Sequence, residues 1–400
     1  MNDGLNETAN TLKHPLPATT EGLRKYITEA SLLVRSPGRI NLIGEHTDYN
    51  NGFVLPAAID KAAYLVVTPR KDDEIHLFAV DLDDQYITST GNIRKSVKTS
   101  WPNYLLGVVE QFIAAGVAIK GFDAALTADI PIGAGLSSSA AVECAMALAL
   151  NEIFAAGFER LTLVKMAQKA ENEFVGVQCG IMDQFASMFG RQNHVIRLDC
   201  RSLEYAYVPF RMNGVKIVLL DTNVNHSLGS TEYNVRRKQC EAGVAIIQKH
   251  RPQVKSLRDA TIEMLDSFIT KADELIYSRC KYVVEENNRL LLACKDLENG
   301  DLPAFGKKMF ETHYGLSQLY EVSCTELDFL VSHVKDNPAV LGARMMGGGF
   351  GGCTINLVKE EAIEELIKTA TISYALAMNK PLKAYIAKIE AGTSVINKER

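Results

Sequence analysis

The residues most able to do chemistry lie close together between Ser36 and Gly52, directly after an apolar segment at residues 32–34. One guanidinium, two carboxylates, an imidazole and a phenol occur in this span, on Arg39, Glu45, Asp48, His46 and Tyr49. Three glycines and an Asn-Gly pair predict tight bends. A tightly bent loop that carries both charge signs could hold a small polyhydroxyl ligand. The alternative is a surface turn whose charges are solvated.

A second glycine-rich segment, residues 131–141, lies between a predicted strand and a long apolar helix. Gly133 and Gly135 allow backbone torsions at which amide groups converge, and three serines follow at 137–139. The unpaired amides and the dipole of a helix start attract anions, so the segment suits a phosphate chain. No Gly-Lys-Ser/Thr follows, and the dinucleotide motif is incomplete. A turn with serine caps is the alternative, although three serines exceed what a cap needs.

A third glycine-rich segment spans residues 344–354, with five glycines between positions 347 and 352. Glycine loses the most chain entropy on folding, so such a run is costly to order. We interpret it as a close backbone approach to a ligand or to the neighbouring glycine loop. A flexible hinge or lid is the alternative.

Two carboxylates outside these segments are candidates for catalysis or metal binding. Asp183 lies among apolar neighbours just after Gly180, where desolvation and a nearby cation could tune it. Glu171 lies on a predicted helix beside Glu173, and a solvated helix face is the alternative for it.

Composition predicts a cytoplasmic globular protein. The chain has 400 residues, of which 47% are hydrophobic and 23% charged, and its net charge of −5 argues against nucleic-acid binding. The first 20 residues lack the apolar core of a signal peptide, and no apolar stretch is long enough to span a bilayer. The eight cysteines are scattered without a C-x-x-C pair, which favours reduced thiols over a zinc site.

Strands and helices are predicted in both halves of the chain, although long helices dominate after about residue 220 until strands return at 354–358 and near 383–388. An α+β fold with two lobes is therefore expected. We predict a flexible N-terminus at 1–20, an N-terminal domain at 21–210, a C-terminal domain at 211–392 and a tail at 393–400. Ser323 and Glu326 also fit a capping box at a helix start.

The three glycine-rich segments, in this order and with Asp183 between the second and third, resemble the motifs of the GHMP small-molecule kinases. Residues 38–52 resemble the signature of the galactokinase family within them, and residues 133–140 resemble the superfamily's ATP-phosphate loop. Residues 346–352 resemble its third motif, and residues 179–184, 198–204 and 223–237 extend the likeness. It covers approximately residues 20–390.

The resemblance implies a two-lobed GHMP kinase fold, with the active site in the cleft between the lobes. It implies ATP-dependent phosphorylation of the C1 hydroxyl of α-D-galactose, giving α-D-galactose 1-phosphate and ADP. Its implied partners are galactose and ATP with Mg²⁺, without nucleic acid or membrane, and we expect a monomer.

By the same resemblance, Asp183 accepts the proton and Arg39 stabilises the transition state. The implied sugar-binding residues are Glu45, His46, Thr47, Asp48 and Tyr233. The implied ATP-binding residues are Gly133, Ala134, Gly135, Leu136, Ser137, Ser138, Ser139, Trp101 and Tyr104. Mg²⁺ would be held by Ser139 and Glu171.

Two alternatives remain open. A related kinase of N-acetylgalactosamine, arabinose or a uronic acid would share the catalytic core. A sugar sensor on the same scaffold would bind without catalysis, but residues 137–141, Arg39 and Asp183 are intact. Phosphoryl transfer requires mainly positioning and charge neutralisation, which one arginine, one metal ion and helix-start amides provide.

Overall fold

The computed structural model describes residues 18–131, 133–224, 229–270 and 273–396. The predicted α+β class is confirmed, because sheets and helices mix in both lobes. The strands are β1 (Leu32–Asn41), β2 (Phe53–Val54), β3 (Pro56–Pro69), β4 (Glu74–Ala79), β5 (Asp84–Ser89), β6 (Phe122–Ala128), β7 (His194–Asp199), β8 (Tyr205–Pro209), β9 (Val215–Asp221), β10 (Val340–Met345), β11 (Cys353–Lys359), β12 (Lys383–Ala387) and β13 (Ser394–Val395).

The α-helices of the described residues are α1 (Trp101–Ala114), α2 (Ser138–Ile153), α3 (Arg160–Lys169), α4 (Met182–Phe189), α5 (Gly229–Gln248), α6 (Ile262–Phe268), α7 (Glu274–Glu298), α8 (Leu302–Tyr314), α9 (Thr325–Lys335) and α10 (Ile363–Met378). A π-helical turn, Ala170–Val175, follows α3, and a second one, Gly315–Leu319, follows α8.

A six-stranded sheet with the order β13-β1-β3-β6-β4-β5 organises the N-terminal lobe. Strands β1 and β3 are long and antiparallel, and β4 pairs in parallel with β6. Helix α2 packs against β1, β3 and the helices α1, α3 and α4, which explains why it is apolar nearly all round. The glycine-rich turn before α2 is thereby fixed against the end of β1.

A four-stranded sheet with the order β10-β11-β9-β12 organises the C-terminal lobe, and α8, α9 and α10 pack close to it. A third, smaller sheet, β2-β7-β8, lies beside α7. One apolar cluster contains residues of both lobes, among them Ile40, Ala141, Leu219 and Met346. The lobes therefore share a core around the cleft, and the boundary near residue 210 stays a prediction.

Both predicted chain ends require correction. Residues 18–20 belong to a 3₁₀ helix, Ala18–Tyr26, and not to a flexible terminus. Ser394–Val395 pairs with β1, and the hydroxyl of the buried Thr393 lies 2.8 Å from that of Ser36. The chain end thus joins the N-terminal sheet, so the predicted tail is wrong for residues 393–396. Residues 1–17 and 397–400 lie outside the described residues, as do 225–228 of the motif at 223–237.

The capping box is wrong: Cys324 precedes α9 without a side-chain cap, and Ser323 Oγ donates to Asp328 Oδ1 at 2.5 Å. All eight cysteines are free thiols. Among the described residues, no helix combines the length and apolar character that crossing a bilayer requires.

Candidate active site

A cavity of about 730 Å³ opens between the lobes. Residues that the sequence singled out line it from both sides: Arg39, Glu45, His46, Asp48, Tyr104, Gly135, Ser139, Glu171, Asp183 and Tyr233. Glycines 347–349 of the third glycine-rich segment complete the wall. The three glycine-rich segments, distant in sequence, therefore meet at one cavity.

The Arg39–Asp183 ion pair is part of the cavity lining. Arg39 Nε and Nη2 donate to Asp183 Oδ1 and Oδ2 at 2.7 and 2.9 Å, and Nη1 donates to the Gly135 carbonyl at 2.6 Å. Burial lowers the pKa of Arg39, but the charge and hydrogen bonds of the Asp183 carboxylate raise it by more. The pKa of Arg39 therefore lies above its ordinary value. This two-point contact fixes the direction of the carboxylate.

Backbone geometry brings Arg39 to the second glycine-rich segment. Strand β1 has a register irregularity between Pro37 and Arg39, and the Arg39 amide donates to the Leu136 carbonyl at 3.0 Å. A Cβ at Gly38 would lie 2.7 Å from that carbonyl oxygen, so only glycine permits this approach. The strand end is thus locked against the loop that precedes α2.

The loop before α2 is bent by residues with positive φ, namely Gly133 (81°), Gly135 (75°) and Ser137 (56°). Ser137 makes no cap bond to the helix; its hydroxyl donates to Asp183 Oδ2 at 2.5 Å. The amides at the start of α2, from Ser138 onward, therefore gain no side-chain cap from it. The Ala134 and Leu136 side chains are buried in the core and anchor the loop.

Glu171 lies in the π-helical turn after α3, a local geometry that is frequent at functional sites. Its Oε2 accepts bonds from Gln184 Nε2 at 2.6 Å and from Cys179 Sγ at 3.3 Å. Burial, followed by the Asp183 carboxylate, raises the pKa of Glu171, and Ser139 is a hydrogen-bonding neighbour.

No group of three or more His, Cys, Asp or Glu side chains suited to a metal occurs within the described ranges. One carboxylate and one hydroxyl fit Mg²⁺, which takes few protein ligands beside phosphate oxygens and water.

Glu45 joins the two lobes. Its Oε1 accepts a bond from the Arg344 Nη2 and another from the Gly347 amide, both at 2.8 Å. Glu45 is 2% exposed and Arg344 is fully buried. The third glycine-rich segment therefore approaches the first one, and a Cβ at Gly347 would lie 3.9 Å from the Gly135 carbonyl oxygen of the second.

His46 is buried at a positive φ of 60°. Its Nδ1 lies 2.7 Å from the Tyr49 hydroxyl, which lies 2.8 Å from the Tyr320 hydroxyl, and its Nε2 lies 3.2 Å from the Gly348 carbonyl oxygen. Burial lowers the pKa of His46 to about 4, so the imidazole is neutral at physiological pH. The Tyr233 ring packs 5.2 Å from it, centroid to centroid.

Asp48 presents its carboxylate beside Gly180, where any Cβ would overlap the carboxylate oxygen. Burial, together with the carboxylates of Asp183 and Glu45, raises the pKa of Asp48 to about 6. The segment before Asp183 thus brings a second carboxylate close to the central ion pair.

Two predicted ligand contacts are not supported. Thr47 is fully buried, and its hydroxyl lies 2.9 and 2.5 Å from the carbonyl oxygens of Gly44 and Phe53, so it holds the turn and does not line the cavity. Trp101 donates from Nε1 to Asp84 Oδ2 at 2.8 Å and is not among the described lining residues, whereas Tyr104 is.

Sequence reasoning gave no role to three buried polar residues of the site, Arg344, Gln184 and Glu143. Gln184 Nε2 also donates to Glu143 Oε2 at 3.0 Å, and burial raises the pKa of Glu143 well above its ordinary value. A glutamate within the apolar helix α2, and an arginine at the end of an apolar strand, were the available signals.

Family models match three parts of the chain. The N-terminal domain of GHMP kinases matches residues 103–191, the galactokinase galactose-binding signature matches residues 24–69, and the GHMP kinase C-terminal domain matches residues 293–375. These three matches contain the second, the first and the third of the glycine-rich segments, respectively.

Whole-chain comparisons agree with these models. A galactokinase from Roseiflexus sp. (strain RS-1) is 40% identical over 370 residues, which cover 92% of this chain and 93% of the relative. The crystal structure of Lactococcus lactis galactokinase complexed with galactose has a TM-score of 0.88 and 35% identity, over 94% of this chain and 97% of that one. The mevalonate kinase of Methanococcus jannaschii shares the fold, with a TM-score of 0.63 and 18% identity over 91% of this chain and 99% of that one. The chain therefore belongs to the galactokinase family of GHMP kinases.

Proposed function

We propose that the cavity binds D-galactose beside ATP and transfers the γ-phosphoryl group to the C1 hydroxyl, giving α-D-galactose 1-phosphate and ADP. The observation that carries this proposal is the Arg39–Asp183 ion pair, which lies between the phosphate loop and the acidic loop at Glu45 and Asp48. An acceptor hydroxyl placed there would be near a carboxylate base, a guanidinium and a phosphate site.

We assign the sugar to the part of the cavity lined by Glu45, His46, Asp48 and Tyr233. Carboxylates accept hydrogen bonds from sugar hydroxyls, and the Tyr233 ring offers an apolar wall. The similarity to a galactokinase solved with galactose supports galactose over the other sugars.

We assign the ATP phosphates to residues 133–139 and the start of α2, where free amides and the helix dipole favour anions. Ser139 and Glu171 would hold Mg²⁺, which neutralises phosphate charge when bound. Because Tyr233 is assigned to the sugar, Tyr104 is the aromatic residue of the cavity wall that could contact the adenine of ATP.

Asp183 is the proposed proton acceptor from the C1 hydroxyl. The two bonds from Arg39 and the Ser137 hydroxyl hold its oxygens in place before the substrate arrives. Arg39 would also stabilise the charge that develops on the attacking oxygen and the transferring group.

We further propose a cytoplasmic monomer. The free thiols of all eight cysteines are typical of a reducing compartment. Sedimentation analysis of the purified chain tests the monomer.

ADP release over a panel of sugars tests the activity, with D-galactose, N-acetylgalactosamine, arabinose and a uronic acid as acceptors and Asp183→Asn as control. We expect turnover on galactose that the variant loses. Turnover on another sugar alone would reject galactose but keep the kinase. Galactose binding without turnover by the unmodified chain would favour a sensor.

A further inference from the structure

We propose that Arg344 is a positioning residue that holds the Glu45 carboxylate in one plane, with one oxygen bound by Arg344 and the other turned toward the sugar. The C-terminal lobe would then set sugar selectivity through a loop of the N-terminal lobe. This inference rests on the proposed function, in which Glu45 contacts the sugar.

Arg344 lies at the end of β10 with its guanidinium fully buried. Its Nε donates to the Leu42 carbonyl at 2.7 Å and its Nη1 to the Met345 carbonyl at 2.6 Å. Its Nη2 donates to the Asn41 carbonyl and to Glu45 Oε1. The planar guanidinium is thus hydrogen-bonded to the end of β1, to the segment at residues 42–45 and to its own strand.

The two oxygens of Glu45 have different surroundings. Oε1 accepts from Arg344 and from the Gly347 amide, whereas no hydrogen bond to Oε2 occurs among the described residues. Because Glu45 lines the cavity, Oε2 is the oxygen left for a ligand. A rotation of the carboxylate by half a turn restores the same arrangement, but any intermediate angle breaks the charge-assisted bonds. The carboxylate is therefore held in one plane and acts only as a hydrogen-bond acceptor toward the sugar.

This geometry makes a prediction that a purely structural role of Arg344 does not make. If Glu45 is replaced by glutamine, the amide oxygen must accept from Arg344 and Gly347, because both neighbours are donors. The amide nitrogen is then turned toward the sugar, and the acceptor becomes a donor. A fluorine can accept a weak hydrogen bond but cannot donate one, so a deoxyfluoro sugar distinguishes the two cases.

The experiment measures kcat/KM for D-galactose and for its 2-, 3-, 4- and 6-deoxyfluoro analogues, with the unmodified chain and with Glu45→Gln. We expect kcat/KM for galactose to fall roughly tenfold or more in the variant, because the sugar loses a hydrogen bond to a charged group. At one ring position only, the kcat/KM for the fluoro sugar relative to that for galactose should be about tenfold higher in the variant than in the unmodified chain. That position identifies the hydroxyl that faces Glu45.

Arg344→Lys is the second variant, because lysine keeps the charge but cannot form the planar fork. We expect a galactose KM about tenfold higher, with kcat and the ATP KM within about threefold, and weaker discrimination at the same ring position. Arg279→Lys is the matched control: Arg279 is 2% exposed and bonds to Glu321 Oε2 at 2.6 Å, outside the cavity lining. It should lower the melting temperature without changing selectivity.

The outcomes separate the two proposals. If Glu45→Gln leaves galactose kinetics unchanged, the assignment of Glu45 to the sugar fails, and this inference fails with it. If the variant weakens galactose use but no fluoro sugar gains, the positioning by Arg344 is rejected while the proposed function stands. Arg344→Lys behaving like the Arg279 control would also overturn the positioning role. Should Arg344→Lys not fold, the Glu45→Gln measurement with native Arg344 still decides.

Discussion

The glycine-rich loops at residues 131–139 and 344–354 meet at the cavity, yet their polar groups have different partners. In the second glycine-rich segment, the nearest atom to a Cβ at Gly135 would be 4.0 Å away, and the start of α2 carries no side-chain cap. In the third loop, the Gly347 amide is bound by Glu45, and the Phe350 amide donates to the Val322 carbonyl at 2.7 Å. The second segment leaves room for a ligand at Gly135. The third segment faces the cavity at Gly347 and Gly348 but is packed tightly against Val322 at Gly349.

The difference shows that a high glycine content has two physical causes. At Gly135 glycine permits a positive φ beside the cavity, with the nearest atom to a Cβ at ordinary contact distance. At Gly349 it permits close packing, because a Cβ there would overlap the Val322 carbonyl. Substitutions in or beside the second glycine-rich segment should therefore affect the chemical step. Substitutions in or beside the third segment should affect stability and sugar affinity.

Asp183→Asn should have the largest effect on turnover, because Asp183 is held by Arg39 and by Ser137 of the second glycine-rich segment. We expect kcat to fall by about 10²–10⁴-fold with galactose affinity changed by only a few fold, since general-base help is worth that much. Steady-state ADP release and calorimetric galactose binding measure the two quantities. Substantial residual turnover would remove Asp183 from the role of base.

Gly349→Ala should strongly destabilise the fold. The new methyl group would overlap the Val322 carbonyl at a φ of +87°, and strain and overlap together should lower the free energy of unfolding by about 3 kcal/mol. Gly135→Ala (φ +75°) should cost about 1–2 kcal/mol and reduce kcat.

Gly116→Ala is the control for this pair, because Gly116 has φ +85° and nothing within 4 Å of a Cβ. Denaturant unfolding curves give the comparison. Equal losses for Gly349 and Gly116 would show that the third segment is not packed against Val322 as described.

Asp48 should make galactose use pH-dependent. Its pKa is raised to about 6 by burial, so it becomes neutral as the pH falls below that value and loses its negative charge toward the sugar. We expect kcat/KM for galactose at saturating ATP to fall about tenfold per pH unit below about pH 6. A profile from pH 5 to 8 tests it, and Asp48→Asn should lack this limb. A flat profile for the unmodified chain contradicts the assignment.

Tyr49→Phe should have the smallest effect. The neutral His46 can donate from Nε2 to Gly348 of the third loop only if Nδ1 accepts, so the Tyr49 hydroxyl is the donor. Loss of this bond should raise the galactose KM roughly threefold to tenfold and leave kcat unchanged. Tyr277→Phe, which removes an exposed hydroxyl bonded to Asp266, is the control. A kcat defect would mean that the loops are more strongly coupled than we infer.

Local patterns were sufficient where the physics is local. The apolar helix α2 and the bends at Gly133 and Gly135 follow from nearby residues. The mixture of predicted strands and helices indicated the α+β class, and the order of the three motifs indicated the resemblance to the family. Local patterns failed where another partner competed, five positions along the chain for Ser323 and far away in sequence for residues 393–396. Ser323 fits a cap, but Asp328 takes its hydroxyl, and residues 393–396 look like a tail, but β1 offers an open edge.

The sequence by itself determined which residue types could bind a sugar, bind phosphate and take a proton, because side-chain chemistry and glycine torsions depend on nearby residues alone. Only the tertiary structure decided how they are paired. Arg39 meets Asp183 144 positions away, and Arg344 meets Glu45 299 positions away. Such contacts follow from how the sheets and α2 pack around one core, and that packing is a property of the whole chain.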